Sequence, residues 1–256
     1  MERIEFAKIV ARAAGAILKE GYYSVKKIKH KAGKELVTQY DIASEDIIKE
    51  MIMLRFPKDT IIAEETESTS RIGEHVWIVD PLDGTNNFAH GFPFFCVSIG
   101  IANRGTVVAG VVYDPLRDEM FWADKNSAYL GNVRLHTSET DDISSALLAT
   151  GFPYDIQASE EDNLNHFAHF SKAALGIRRA GSAALDLAYV AAGRLDGFWE
   201  LKLKMWDMAA GSVIVEMAGG QTTTFTGEKW SITSDRIVAS NGKIHKAMLK
   251  IIQGGL

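Results

Sequence analysis

The residues in this chain best suited to chemistry are acidic side chains at the predicted ends of strands and starts of helices. In the segment WIVDPLDGTNNFAH, Asp80 ends an apolar run and Asp83 follows three residues later. Two glutamates follow the apolar run TIIA, and two further aspartates stand where helices are predicted to begin. Taken singly, a helix cap or a turn explains each of them, but as a set they are predicted to converge, because functional side chains project where strands of an α/β sheet end. The set comprises Asp41, Glu64, Glu65, Asp80, Asp83 and Asp207.

A group of converging carboxylates predicts a metal site. Two carboxylates about 4 Å apart repel each other by roughly 4 kcal/mol at the effective dielectric of a protein surface. A cluster of four therefore needs protons or cations to persist. Carboxylate and carbonyl oxygens suit Mg²⁺, Ca²⁺ or Mn²⁺, whereas zinc prefers His or Cys. Mg²⁺ held by carboxylates and completed by a substrate phosphate is a common arrangement in phosphoryl chemistry.

Spacing excludes other motifs of phosphate and acyl chemistry. Phosphatases of the haloacid-dehalogenase type use D-x-D, whereas this chain has D-P-L-D-G-T, with the two acids one residue further apart. The first aspartate is therefore not set up as a nucleophile of that type. The sequence contains neither the P-loop G-x-x-x-x-G-K-[ST] nor the G-x-S-x-G of serine hydrolases.

The periodicity of apolar residues predicts alternating helices and strands that place these acids in a layered α/β fold. A first helix is predicted to end near Gly21, and the basic stretch KKIKHKAGK to form a solvated helix end and turn. Asp41 is predicted to be the N-cap of the next helix, and residues 93–122 to form an antiparallel meander. Later helices are predicted in EEDNLNHFAHFSKAAL, SAALDLAYVAAG and WDMAAGSVIVEMAGG. We also predict a division into residues 1–140 and 141–256, with a shared interface.

The composition is that of a globular, intracellular chain. Of its 256 residues, 46% are hydrophobic and 24% charged, and a net charge of −5 with interspersed signs argues against a nucleic-acid partner. The single cysteine, Cys96, excludes a disulfide within the chain and is predicted to be a small buried apolar side chain. The segment MERIEFAKIVARAAG lacks a signal-peptide pattern, and no run is apolar enough to span a membrane. These features predict a cytoplasmic protein with no membrane partner.

Several segments together resemble the inositol monophosphatase family of Mg²⁺-dependent, lithium-sensitive phosphatases. They cover nearly the whole chain and comprise LVTQYD, AEET, WIVDPLDGTNNFAHGFP, GSAALDLAYVAAGRLDGFWE and KMWDMAAG. D-P-L-D-G-T alone is moderately specific, but joined to an upstream E-E and a distant W-D it is highly specific. The resemblance implies a five-layered αβαβα sandwich, usually assembled as a homodimer, that hydrolyses inositol monophosphate with metal-activated water.

The resemblance also implies which residues bind metal. Glu64, Asp80 and the backbone carbonyl of Leu82 would bind a first Mg²⁺. Asp80, Asp83 and Asp207 would bind a second, and Glu64 would contribute to a weaker third. Mn²⁺ could substitute for Mg²⁺. Between the two adjacent glutamates, the family pattern favours Glu64 over Glu65 as the ligand.

Catalytic and substrate-binding roles follow from the same resemblance. Thr85, linked to Asp41, would orient the attacking water together with Glu64. Asp83 and the backbone of Gly84 and Thr85 would surround the phosphate where a helix begins. The segment that contacts the polyol hydroxyls would contain Gly181, Ser182, Ala183 and Glu200. The histidines His90, His166 and His169 are predicted not to be ligands.

The sequence leaves several substrates and one different class of protein open. Fructose 1,6-bisphosphate would need a cation for its second phosphate, and four basic residues are candidates, although an ordinary solvated basic rim is the favoured interpretation of them. Adenosine 3′,5′-bisphosphate is less favoured, because no adenine platform is evident. A non-catalytic, metal-stabilised binding protein would lack a ligand or the threonine, yet all are present. The four basic candidates are Arg178, Arg179, Lys202 and Lys204.

Overall fold

The computed structural model describes residues 2–24, 28–30, 36–66 and 73–254, which form helices packed against two main sheets. The helices are α1 Arg3–Tyr22, α2 Gln39–Arg55, α3 Thr85–His90, α4 Leu164–Ala173, α5 Ala183–Ala191, α6 Met205–Met217 and α7 His245–Ile252. The strands of the first half are β1 Ile28–His30, β2 Leu36–Thr38, β3 Thr60–Ala63, β4 His75–Asp83, β5 Cys96–Asn103, β6 Thr106–Asp114, β7 Glu119–Ala123, β8 Ala128–Leu130 and β9 Val133–Arg134. Those of the second half are β10 Leu147–Thr150, β11 Gly176–Arg178, β12 Gly197–Leu201, β13 Gln221–Thr223 and β14 Arg236–Ser240.

The larger sheet has seven strands in the order β3-β4-β5-β6-β7-β8-β9. Strand β3 runs parallel to β4, and every later neighbour is antiparallel, so the predicted meander from residue 93 is confirmed. Helices α1 and α2 cover one face. Their apolar stripes bury side chains such as Leu18, Ile48 and Ile52 against Trp77 of β4, which removes that apolar surface from water.

The smaller sheet has five strands in the order β11-β10-β12-β14-β13. Strand β10 is parallel to both of its neighbours, whereas β14 is antiparallel to β12 and β13. Helices α4 and α7 pack on its outer face through a core that includes Phe170 and Trp199, whose rings stack with centroids 4.0 Å apart.

Helices α5 and α6 form a middle layer between the two sheets. They pack against each other, and α6 also contacts β5 and β6 on one side and β13 and β14 on the other. The approach of α6 to the larger sheet is close, because a Cβ at Gly110 would lie 2.7 Å from the Cα of Ala210, and one at Gly100 would lie 2.8 Å from the Cβ of Ala209. The five-layered αβαβα sandwich is therefore confirmed. The division near residue 140 stays a prediction.

Several local predictions are wrong in detail. The N-cap of α2 is Thr38, and Asp41 is the third helical residue, where its carboxylate accepts from the Thr38 backbone N–H at 2.8 Å. In the basic stretch, Ile28–His30 forms a strand paired with β2 rather than a helix end. The other residues of the stretch, 26, 27 and 31–34, lie outside the described residues. Helix α4 begins at Leu164, not at the preceding acids. No helix in the described part of the chain is both long and apolar enough to cross a lipid bilayer.

Candidate active site

Strand β4 carries two of the predicted ligands through an irregular end rather than a turn. Asp80 pairs with Ser98 and Asp83 pairs with Cys96, so one extra residue is inserted between them on β4. Pro81 has no N–H to donate to a neighbouring strand, and its carbonyl accepts instead from the Ser44 hydroxyl at 2.8 Å. The bulge lets both aspartates remain in the strand.

Gly84 lies between this strand and α3, as the N-cap of the helix. Its φ of 93° lies in the left-handed region, which favours glycine because a Cβ would be strained there. A Cβ would also lie 2.9 Å from the carbonyl oxygen of Phe94. The sharp change of direction places Thr85, two residues after Asp83, at the first helical position of α3.

Thr85 and Asp41 are joined in a buried hydrogen-bonded chain. The Thr85 hydroxyl lies 2.9 Å from Asp41 Oδ1 and 3.0 Å from the Leu82 carbonyl oxygen, and its one hydrogen can be donated to either. Asp41 Oδ2 accepts from the Thr38 hydroxyl at 2.5 Å as well as from the Thr38 N–H. Burial raises the pKa of Asp41, and its hydrogen bonds from Thr38 and Thr85 oppose that rise. The predicted link between Thr85 and Asp41 is present in the structure.

The start of α5 holds the Asp83 carboxylate, although Ser182 there is 99 residues away from Asp83 in sequence. Its Oδ2 accepts from the Ser182 hydroxyl at 2.6 Å and from the Ala184 N–H at 2.7 Å. Ser182 is also the N-cap of α5. The thiol of Cys96 lies 3.8 Å from the same oxygen and is fully buried. The structure thus joins the predicted substrate segment to a predicted metal ligand.

Asp207 reaches the same region from α6, in the middle layer. It is the third residue of that helix, and its Oδ2 accepts from the Lys204 N–H at 2.7 Å. A carboxylate at this position also favours the partial positive charge at a helix N-terminus. The alternative of Asp207 as the N-cap is wrong, because the N-cap is Lys204 and Asp207 lies at the third helical position.

The acids are near enough to perturb one another. Burial raises the pKa of Asp80 well above its ordinary value, and the negative charges of Glu64, Asp83 and Asp207 raise it further. The pKa of Asp207 is likewise raised by burial and by Asp83 and Glu64. In the described residues, no three Asp, Glu, His or Cys side chains already stand as a formed metal-binding group. The fold nevertheless brings four carboxylates to one region, where a cation would relieve their mutual repulsion.

The two adjacent glutamates, Glu64 and Glu65, differ in their contacts. Glu64 acts on the pKa of Asp80 both through its charge and through a side-chain hydrogen bond. The Glu65 N–H donates to the buried carboxylate of Glu45 at 2.8 Å. The Glu64 side chain therefore interacts with the aspartates, through its effects on Asp80 and Asp207. The available donors, which are these carboxylates and the Leu82 carbonyl, fit a hard divalent cation.

Glu200 stands on β12 beside this acidic region, together with a residue that the sequence reasoning missed. The pKa of Glu200 is raised to about 8 by burial and by the charge of Asp83, and Arg179 opposes the rise. Asp186 on α5 is buried, and its pKa is raised well above the ordinary value by burial, Glu200 and Asp83. An aspartate inside the otherwise apolar run SAALDLAYVAA was the signal that could have revealed it.

Asn87 is a second residue that the sequence reasoning missed. Its side-chain amide on α3 donates to the carbonyl oxygens of Phe94 at 2.7 Å and Ala180 at 2.8 Å. It thereby fixes the segment that contains Gly181 against the segment that contains Gly84. The sequence offered only the polar pair in DGTNNF as a signal.

The basic candidates differ in their surroundings. Arg178 and Arg179 are exposed, and the charge of Arg179 acts on both Asp186 and Glu200. Lys202 instead donates to Asp155 at 2.7 Å and to the Ser159 hydroxyl at 2.6 Å. Lys204 is exposed at the start of α6.

The histidines lie on other surfaces of the molecule. His90 is exposed at the end of α3. His166 and His169 lie on α4, which covers the outer face of the smaller sheet, and His166 Nδ1 is 3.2 Å from Asn163 Oδ1.

Known proteins resemble this chain over its whole length. The profile of the inositol monophosphatase family matches residues 1–254. A protein named Nus factor SuhB from Pseudomonas aeruginosa is 42% identical over 258 residues, covering 98% of this chain and 95% of the relative. An inositol-1-monophosphatase from Synechocystis is 41% identical over 248 residues, covering 96% of this chain and 86% of the relative. The solved structure of an inositol monophosphatase from Anabaena (Nostoc) superposes with a TM-score of 0.90 at 39% identity, covering 98% of this chain and 95% of that one.

Proposed function

Because the chain belongs to the inositol monophosphatase family and is a phosphoric monoester hydrolase, we propose that it hydrolyses inositol monophosphate to inositol and phosphate in a Mg²⁺-dependent reaction. The main support is the convergence of Glu64, which follows β3, with Asp80 and Asp83 of β4 and Asp207 of α6. The charges of neighbouring acids in this set raise the pKa of Asp80 and of Asp207. A group of acids that repel one another in the folded state is suited to a site completed by cations.

The proposed metal ligands are those implied by the family pattern. Glu64, Asp80 and the Leu82 carbonyl would hold one Mg²⁺, and Asp80, Asp83 and Asp207 a second, with Glu64 also contributing to a weaker third. When bound, Mg²⁺ neutralises phosphate charge, lowers the pKa of a bound water and favours departure of the alkoxide. The hydrogen bonds to Asp83 Oδ2 from Ser182 and Ala184 support this role because they hold the carboxylate in place beside the other acids.

Thr85 and Asp41 are proposed to orient the attacking water. The single hydroxyl hydrogen of Thr85 is directed to Asp41 or to the Leu82 carbonyl. The hydroxyl oxygen therefore keeps a lone pair that can accept a hydrogen bond from water. Glu64 would act beside it. Water held in this way attacks phosphorus in line, and no covalent enzyme intermediate is needed.

The substrate is proposed to lie between the start of α3 and the start of α5. The backbone N–H groups of Gly84 and Thr85 would contact the phosphate. The polyol hydroxyls would face Gly181, Ser182, Ala183 and Glu200. The position of the Asp83 carboxylate between these two segments supports this arrangement.

The proposed reaction is tested by phosphate release from inositol 1-phosphate in Mg²⁺ and in EDTA. We expect turnover in Mg²⁺ alone, its loss in Asp80→Asn, and its retention in the matched control Asp46→Asn, whose carboxylate is exposed on α2. No release of phosphate from any small phosphomonoester under either condition would contradict the proposal.

Fructose 1,6-bisphosphate remains the alternative substrate because the charge of one basic candidate, Arg179, acts on Asp186 and Glu200. Glu200 belongs to the predicted polyol-binding segment. A side-by-side comparison of kcat/KM for the two esters decides between them. Arg179→Ala is expected to reduce kcat/KM for the bisphosphate more than for inositol 1-phosphate if the alternative is correct.

We further propose a cytoplasmic homodimer that is inhibited by lithium. The single, buried cysteine supports the location. Exposed apolar side chains of the second half, such as Tyr154, Leu164 and Leu175, support the association of two copies. Sedimentation equilibrium tests the dimer, and inhibition of turnover by LiCl against a KCl control tests the lithium sensitivity.

A further inference from the structure

A buried amide joins the strands next to Glu200. Asn163 is almost fully buried and adopts a left-handed φ of 69° just before α4. Its Nδ2 donates to the Thr150 hydroxyl at 2.9 Å and to the Gly151 carbonyl oxygen at 2.7 Å, and its Oδ1 accepts from Trp199 Nε1 at 2.9 Å. Leaving a buried amide without hydrogen-bond partners costs free energy of folding. These bonds therefore hold Gly151 and Trp199 in fixed positions.

Gly151 lies directly beside Glu200. Thr150 pairs with Trp199 where β10 runs parallel to β12. The residues that follow this pair, Gly151 and Glu200, are therefore neighbours. A Cβ built on Gly151 would overlap the carboxylate of Glu200 at its Cδ and at both oxygens. The backbone of Gly151 does not have a left-handed φ. The need for glycine is therefore a need for space at this carboxylate, not for an unusual backbone conformation.

The space above Gly151 decides where the carboxylate of Glu200 can lie. A glutamate side chain can adopt several rotamers. A carboxylate that packs against the Cα of a glycine must move to another position when a methyl group occupies that space. Resting on the proposed function, we infer that Gly151, fixed by Asn163, is a specificity-determining residue that seats the Glu200 carboxylate for contact with the hydroxyls of a polyol phosphate. A side chain at this position would weaken recognition of the polyol and leave the phosphate-side chemistry intact.

The first test is Gly151→Ala, compared on two phosphomonoesters. For inositol 1-phosphate we expect KM to rise about tenfold with little change in kcat, as for the loss of one hydrogen bond to a charged group. For p-nitrophenyl phosphate, which has no polyol, kcat and KM should stay as in the wild type. Gly176→Ala in the neighbouring strand is the matched control, because its Cβ would meet atoms no closer than 3.6 Å. Equal losses on both esters would overturn the inference and indicate a general structural role.

The second test asks whether Gly151 acts through Glu200. In a Glu200→Ala background, Gly151→Ala should cause no further rise in KM for inositol 1-phosphate, whereas independent effects would multiply. A crystal structure of Gly151→Ala should show the Glu200 carboxylate displaced and the strands in place. An unchanged KM in Gly151→Ala, or multiplied effects in the double variant, would overturn the inference alone. A wild-type protein that hydrolyses p-nitrophenyl phosphate but no polyol phosphate would overturn the proposed substrate and the inference together.

Discussion

At the scale of single residues, the relation between Thr85 and Asp41 depends on where each hydrogen lies. Asp41 receives two hydrogen bonds from Thr38 on Oδ2, and its Oδ1 faces the Thr85 hydroxyl. These bonds stabilise the ionised carboxylate despite its burial. An ionised Asp41 then accepts the Thr85 hydrogen, so that Thr85 can serve as an acceptor toward water.

Removing the Thr85 hydroxyl should therefore impair turnover more than folding. We expect Thr85→Val, which keeps the shape, to lower kcat by about 100-fold or more, within the range for removal of a group that positions a reacting proton. Thr85→Ser keeps the hydroxyl and should retain activity within about tenfold of the wild type. Kinetics on inositol 1-phosphate and thermal melting of both variants check this. A Thr85→Val enzyme as active as Thr85→Ser would show that the hydroxyl has no role in the reaction.

Residue types and spacing were enough to predict most of the candidate site, but not its supporting residues. The strand-end acids and the D-P-L-D-G-T spacing predicted which carboxylates would converge. Asp186 and Asn87 were missed because their importance comes from neighbours distant in sequence, such as Glu200 for Asp186 and Ala180 for Asn87. No local pattern reveals such contacts.

At the scale of elements, helix α6 is positioned by two glycines of the sheet below it. In α2, Asp41 is the third helical residue rather than the predicted N-cap, because a capping box places an acid three residues after the N-cap. An aspartate is common both at the N-cap and at the third helical position, so the sequence alone does not tell the two positions apart. Only the backbone dihedral angles distinguish them.

Substituting Gly110 should disturb the middle layer. Gly110→Ala would bring a methyl group to 2.7 Å from the backbone of Ala210, and backbone atoms cannot move aside as a flexible side chain can. We expect a loss of about 1–3 kcal/mol in the free energy of unfolding and a reduced turnover, because α6 also carries Asp207. Urea denaturation measures the first and phosphate release the second. Gly176→Ala, with no such overlap, should change neither.

A buried histidine in the outer layers should make stability depend on pH. His245 Nε2 lies 2.9 Å from the Thr223 hydroxyl and Nδ1 lies 2.9 Å from the Ser240 hydroxyl. Because the Thr223 hydroxyl donates to the Thr224 carbonyl, it accepts from Nε2–H, and Ser240 donates to Nδ1. The ring is thus neutral, and burial lowers its pKa from 6.5 to about 4.

The direction of the pH effect follows from that lowered pKa. Above pH 6.5 the ring is neutral in both the folded and the unfolded chain, and below it the unfolded chain binds a proton that the folded chain does not. Stability is therefore lost as pH falls from about 6.5 to about 4, by about 3 kcal/mol in all. Urea denaturation across this range should show a smaller loss in His245→Asn, whereas the exposed control His90→Asn should follow the wild type. An unchanged pH dependence in His245→Asn would contradict the prediction.

At the scale of the whole molecule, the candidate site is assembled from both halves of the chain. Asp80 and Asp83 come from the larger sheet, whereas Ser182 and Asp207 come from helices of the middle layer. The alternation of elements predicted layers, but not which strands pair. The neighbours of β12 are β10 and β14, and such pairings depend on long-range packing rather than on local periodicity.

A cation bound at this junction should stabilise the whole fold. At a concentration of 100 times Kd, Mg²⁺ is expected to raise the free energy of unfolding by about 2.7 kcal/mol, since it binds the folded chain. Asp207→Asn should lose most of that increase and most of the turnover. In EDTA it should melt at or above the wild-type temperature, because it removes one repelling charge while its amide oxygen can still accept from the Lys204 N–H. Thermal melting in MgCl₂ and EDTA, with Asp46→Asn as the control, measures these effects. A collapse of the melting temperature of Asp207→Asn with normal activity per folded molecule would instead assign Asp207 a purely structural role as a helix cap.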